Sequence, residues 1–94
     1  MYYTYILYNL EPSAKRKFYV GITNDLDRRI FEHNSGQNGF TSKFGPWHLI
    51  YYEAYLSVDD AAAREKKLKH HGKGLSELKI RLENSILQAK RCGM

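Results

Sequence analysis

The stretch Tyr2–Tyr8 (YYTYILY) restricts the fold more than any other part of the chain. Its two alternating sets, Tyr3/Tyr5/Leu7 and Thr4/Ile6/Tyr8, are both uncharged, so a strand here has no face to offer to water. Such a strand must be covered from both sides. Asn9 to Lys17, with Pro12 and Ser13, is a polar connection, and Phe18–Ile22 (FYVGI) is a second short strand. Together they predict an antiparallel hairpin with a long loop.

Beyond the hairpin, Thr23 or Asn24 caps a helix that runs to about Asn34 and is stopped by Ser35 and Gly36. Residues 36–46 read as a loop with a short helical turn. Trp47–Tyr55 (WHLIYYEAY) is dense in β-forming aromatics and predicts a third strand. Ser57 with Asp60 three residues on opens a helix that ends near His70. His71 to Gly74 break the chain, and Leu75–Ala89 predicts a last helix with an apolar stripe at Leu75, Leu78, Leu82, Ile86 and Ala89. The expected fold is α+β, in the order ββαβαα. A small, mainly antiparallel three-stranded sheet is flanked by helices in one domain spanning residues 1–94.

Composition narrows the function. The eight Tyr, four Phe and one Trp help a 94-residue chain to fill a core, because large rings bury much area each. The one cysteine, Cys92, excludes an internal disulfide and a cysteine-built zinc site. No apolar run approaches the ~18 residues of a membrane span, and the N-terminal residues lack the basic region of a signal peptide. A cytoplasmic protein is expected. The net charge of +5 is concentrated in Arg64, Lys66, Lys67, Lys69, Lys73, Lys79 and Arg81, opposed by Glu65 and Glu77. Such a run suits either a polyanion-binding surface or a solvated helix face.

Some polar residues do not fit a plain core. In the first helix Leu26 and Ile30 define the buried stripe, and Arg29 and His33 lie one turn apart on its flank, a candidate anion site. The ordinary alternative is an ion pair between Asp25 and Arg29, like that expected between Arg28 and Glu32. In the second helix Glu65 falls within the face formed by Val58, Ala61, Ala62 and Leu68. An ionised carboxylate there needs a cation, a metal ion or hydrogen bonds. Either a structural bridge to Arg29 or a metal site would serve. Tyr5 and Tyr19, on neighbouring strands, read alone as core aromatics.

In this order, these residues resemble the GIY-YIG nuclease superfamily. Thr4-Tyr5-Ile6 stands where that family has its first motif, with Tyr3 in place of the motif glycine, and Tyr19-Val20-Gly21 matches the second. Arg29 matches the family's catalytic arginine, His33 a histidine of several members, and Glu65 the metal-binding glutamate. The likeness covers residues 2–82 and is greatest to the short single-domain bacterial predicted endonucleases, through Tyr19–Asn34 and Gly45–Glu53.

The resemblance implies an endonuclease that hydrolyses phosphodiesters with one Mg²⁺ or Mn²⁺ held by Glu65. DNA is expected ahead of RNA, with a place in repair or recombination, and a monomer or weak dimer. It implies that Arg29 clamps the phosphate and that Tyr5 is the general base, with Tyr19 positioning water or phosphate. The roles of Tyr5 and His33 are interchangeable at this level. Gly21 would let the backbone approach the phosphate, and Lys66, Lys67, Lys69 and Lys73 would meet the substrate backbone. Two other readings stand beside it. One is a nucleic-acid-binding module with weak or lost turnover. The other is an adaptor using Ile80 and Leu87, seven residues apart and off the main stripe.

Overall fold

The computed structural model describes residues 1–35, 46–70 and 72–92, and the side chains of these apart from residues 70, 72, 73 and 92. Among them are three strands, β1 (Tyr2–Asn9), β2 (Phe18–Thr23) and β3 (Trp47–Tyr55). Four helices complete the described residues: α1 (Leu26–Asn34), α2 (Val58–His70), α3 (Gly72–Arg81) and α4 (Glu83–Cys92). The sheet is antiparallel throughout, in the order β2-β1-β3. The fold is therefore α+β as expected. The central strand is β1, and its residues are buried from Thr4 through to Asn9.

Each face of β1 carries its own apolar cluster. Tyr5, Leu7 and Trp47 are buried on one side against Leu26 and Ile30 of α1, with Tyr19 and Leu49. On the other side Ile6, Tyr8, Val20 and Ile50 meet Leu68 of α2, Leu78 of α3, and Leu82 and Ala89 at and beyond the start of α4. Thr4, on this second face, donates its hydroxyl to the carbonyl of Ala61 at 2.8 Å and so ties α2 to the central strand.

Two element ends differ from expectation. The cap of α1 is Asp25, whose extended backbone lets its carboxylate accept from the Arg28 amide at 3.1 Å. Thr23 instead accepts from the Asp25 amide at 3.0 Å and shapes the turn before the cap. The single helix expected over Leu75–Ala89 is two helices that meet at Leu82. The break lets α4 turn along β3 while Leu78, Leu82 and Ala89 all stay in one cluster. Ile80 and Leu87, expected on one helix, are both exposed but lie on different helices, α3 and α4. The loop expected over residues 36–46 lies outside the described residues save for Pro46. No helix among the described residues is long and apolar enough to cross a membrane.

Candidate active site

The register of the hairpin sets Tyr5 directly opposite Gly21. On a pleated sheet, cross-strand partners and residues two apart share a face, so Tyr5, Tyr19 and Gly21 all face α1. The rings of Tyr5 and Tyr19 lie 6.3 Å apart and tilted by 38°. Glycine is required here by space. A Cβ at position 21 would stand 2.6 Å from the Tyr5 hydroxyl oxygen, 2.7 Å from its Cζ and 3.1 Å from Cε1 of Tyr19. The side of Gly21 on which a Cβ would stand is thus covered by the two rings.

Leu26 and Ile30 seat α1 on this face and carry Arg29 and His33 to the tyrosines. His33 is fully buried, its Nε2 2.8 Å from the Tyr5 oxygen and its ring edge-on to Tyr19 at 4.7 Å. Burial, helped by the charge of Arg29, pushes the His33 imidazole down to about 4. Burial likewise pushes the Tyr5 phenol up to about 12, with the hydrogen bond from Arg29 acting against it. At neutral pH the phenol is therefore protonated and the imidazole is neutral. Arg29 can only donate, so the Tyr5 oxygen accepts from it, and which of Tyr5 and His33 Nε2 donates in the 2.8 Å bond between them is set by the imidazole tautomer.

Arg29 itself is partly exposed. Its Nη1 donates to Glu32 Oε1 at 3.0 Å. Burial works against the guanidinium charge, but hydrogen bonds with Tyr5 and Glu32 outweigh it and hold the group above its ordinary range. Asp25 caps the helix, so Glu32 takes the place of the expected Asp25 partner of Arg29. Arg28 reaches Glu32 at 3.9 Å on the outer side, as expected.

Glu65 arrives from the opposite layer, on a helix that packs against β2 as well as β1 and β3. Its negative charge adds a little to the cost of the Tyr5 phenolate. Its partner is Lys69, at 3.2 Å from Oε2, and not Arg29. Partner choice follows from spacing: Lys69 is one helical turn away, whereas Arg29 is occupied by Glu32 on its own helix. Glu65 also keeps 23% of its side-chain surface, so it edges the core and is not enclosed in it.

The basic run divides. Lys69 Nζ lies 5.8 Å from the Tyr19 ring centroid, Arg64 is bound to Glu53, and Lys79 covers the ring of Phe18 at 4.3 Å. Lys66 and Lys67 are exposed on α2, and the side chain of Lys73 lies outside the described residues. Sequence reasoning passed over Arg16, whose guanidinium stands 5.9 Å from the Tyr19 centroid. Its signal was the basic triplet Lys15-Arg16-Lys17 in an otherwise polar connection. Among the described residues no three His, Cys, Asp or Glu side chains gather to hold a metal ion. A single carboxylate beside the tyrosines fits an ion such as Mg²⁺, which keeps several waters and takes one or two protein carboxylates.

Among known proteins, a UPF0213 protein of Lacticaseibacillus paracasei is 32% identical over 78 residues, covering 82% of this chain and 83% of that protein. A UPF0213 protein of Limosilactobacillus reuteri is 35% identical over 88 residues, 90% of this chain and 86% of the relative. A UPF0213 protein of Bacillus halodurans, solved by solution NMR, is 34% identical with a TM-score of 0.47, over 84% of this chain and 86% of that one. The structure-specific endonuclease subunit slx1 of Xenopus laevis is 34% identical over 67 residues, which are 67% of this chain but 24% of the relative. The family model of the GIY-YIG catalytic domain matches residues 1–79. Because that match starts ahead of β1 and ends within α3, it spans every element on which the tyrosine cluster is built, and the chain belongs to the GIY-YIG catalytic domain family.

Proposed function

We propose that this chain is a metal-dependent endonuclease that hydrolyses phosphodiester bonds in nucleic acid, with DNA the first polymer to test. The observation that carries the reading is the Tyr5 hydroxyl, 2.8 Å from a neutral, buried His33 and beside a charged Arg29. Family membership and the endonuclease named among the relatives point the same way.

Hydrolysis needs a proton acceptor for water, positive charge for the phosphoryl oxygens and help for the leaving oxygen. A phenol pushed up to about 12 is a poor base by itself. Tyr5 becomes one when its proton passes to His33 Nε2 as the phenol oxygen takes the proton of water. The incoming phosphate favours that transfer, because its negative charge offsets the burial and the Arg29 charge that hold the free imidazole down to about 4. The two residues, interchangeable in the sequence, thereby receive distinct roles: Tyr5 meets the nucleophile and His33 stores the proton. Arg29 offers a planar fork to two phosphoryl oxygens. Tyr19, edge-on to His33, orients the imidazole and borders the phosphate. Glu65 would hold the divalent ion, which supplies Lewis-acid stabilisation of the phosphoryl group and the leaving oxygen.

The test is incubation of the protein with plasmid, single-stranded DNA and structured RNA across Mg²⁺ and Mn²⁺ titrations. Cleavage is expected only with metal. Arg29→Ala should lower it by about 100-fold or more, and Arg29→Lys should restore little, because an ammonium lacks the fork. Glu65→Gln should abolish metal-dependent cleavage with a thermal midpoint close to wild type, since its pair with Lys69 is of the exposed kind worth about 0–1 kcal/mol. Binding without cleavage under every metal condition would replace the nuclease by a binding module.

A further inference from the structure

We infer that Arg16 and Lys69 form a second phosphate subsite over the ring of Tyr19, one that holds the phosphate next to the one cut. This rests on the nuclease reading above. The two cations come from unrelated parts of the chain, the β1–β2 connection and the last turn of α2, yet both stand within 6 Å of one ring centroid. A solvated basic face gives no reason for that convergence.

Tyr19 belongs to the tyrosine cluster through its neighbours Tyr5 and His33, so cations placed over its ring are placed at the border of the proposed reaction site. Arg29 lies across the cluster, on α1, one turn before His33, whose ring is edge-on to Tyr19. Three cations from three elements therefore surround the two tyrosines. A nucleic-acid strand presents its phosphates in series, and an enzyme that holds only the scissile one leaves the chain free to pivot. Two further cations beside it fix the direction of the strand.

An i,i+4 pair with Glu65 is the ordinary account of Lys69. That pair engages one of the three N–H donors of the ammonium, and the others remain for a phosphate. Glu65 would then have two uses, holding the divalent ion and keeping Lys69 toward Tyr19. The guanidinium of Arg16, 5.9 Å from the centroid of the same ring, adds a planar donor edge at the border of the cluster. Aromatic faces attract both groups, which keeps them at the site before substrate arrives.

The subsite is tested by fluorescence anisotropy with a labelled 20-base-pair duplex in EDTA, at several salt concentrations, for wild type, Arg16→Ala, Lys69→Ala and Lys15→Ala. Lys15→Ala removes the same charge from the same connection and controls for long-range attraction. Arg16→Ala and Lys69→Ala should each weaken binding by about 5- to 10-fold and reduce the slope of log K against log salt by about 1, with Lys15→Ala changing both far less. In the cleavage assay Arg16→Ala should raise KM and leave kcat within about 2-fold, whereas a role at the scissile phosphate would lower kcat. Equal slopes in all four proteins overturn the subsite, as does a wild type that fails to bind. A wild type that binds without cutting sinks the nuclease reading alone, and the salt slopes still decide the subsite.

Discussion

Position 21 carries a steric demand that fixes the centre of the site. The ring a Cβ would strike belongs to Tyr5, which is 1% exposed and hydrogen-bonded to His33, so it has no easy direction in which to yield. Gly21→Ala should cost about 1–3 kcal/mol, as overpacking of a filled core does, and should impair cleavage by displacing the Tyr5 hydroxyl. Urea denaturation measures the first; an alanine variant as stable as wild type would mean the rings do not pack this closely. His33 makes a demand of another kind, through its proton. Its folded-state value of about 4 lies below the ordinary 6.5, so the unfolded chain binds the extra proton first as the pH falls. Stability from this group is therefore whole above pH 6.5 and is lost as pH drops toward 4, by about 3 kcal/mol at most. His33→Gln should flatten that part of the stability profile. An unchanged slope across that window would assign it to other groups.

Helix α2 is positioned by polar contacts that its apolar face does not reveal. Glu53 of β3 accepts from Tyr51 at 2.7 Å, from Tyr55 at 2.5 Å and from Arg64 of α2 at 3.0 and 3.2 Å. Burial alone would raise the Glu53 carboxyl, but hydrogen bonds from Tyr55, Tyr51 and Arg64 hold it below its usual range. Arg64 is the residue before Glu65, so this knot also sets where Glu65 stands. Arg64→Ala should cost about 1–3 kcal/mol, the penalty for leaving a partly buried carboxylate without its cation. Paired with Glu53→Gln, the double variant should lose less than the sum of the single ones; strict additivity in denaturation would show that the two do not interact. None of this was legible in the sequence, where Arg64 counted as one base in a run and Glu53 as one polar residue in a strand. Hydrogen-bond partners between a strand and a helix depend on how the layers stack, which periodicity does not encode. The split at Leu82 was hidden for a similar reason, since the apolar stripe runs in phase through it.

At the scale of the molecule, the uncharged strand seen first in the sequence is what joins the two halves of the core. One cluster lies on the Tyr5 and Leu7 face and the other on the Ile6 and Tyr8 face, so neither survives the loss of β1. Unfolding should be one cooperative transition. Trp47, buried in the α1-side cluster, reports that side by fluorescence, while far-UV circular dichroism is weighted toward the helices of the other. The two curves should coincide in urea; an earlier fluorescence transition would mean that the α1 layer opens alone. The three strands and the hairpin were legible because each strand is a short run of β-forming residues between polar breaks, whereas the pairing of β3 with β1 was not. The gathering of Tyr5, Tyr19, Arg29 and His33 was legible through family resemblance. Spacing alone offered the Arg29–His33 pair and left the rings as core.

At the end of α1, the Asn34 side chain accepts from the Trp47 amide at 2.8 Å and donates to the Trp47 carbonyl at 3.0 Å, standing in for a neighbouring strand at the start of β3. This amide clip ties residue 34 to residue 47 by two hydrogen bonds. Lengthening a closed segment costs only slowly with its length, about 0.6 kcal/mol per doubling for a flexible one. The position is thus a natural port for grafted sequence. A reporter peptide or a foreign recognition segment inserted there would hang from a base clamped at Asn34 and Trp47.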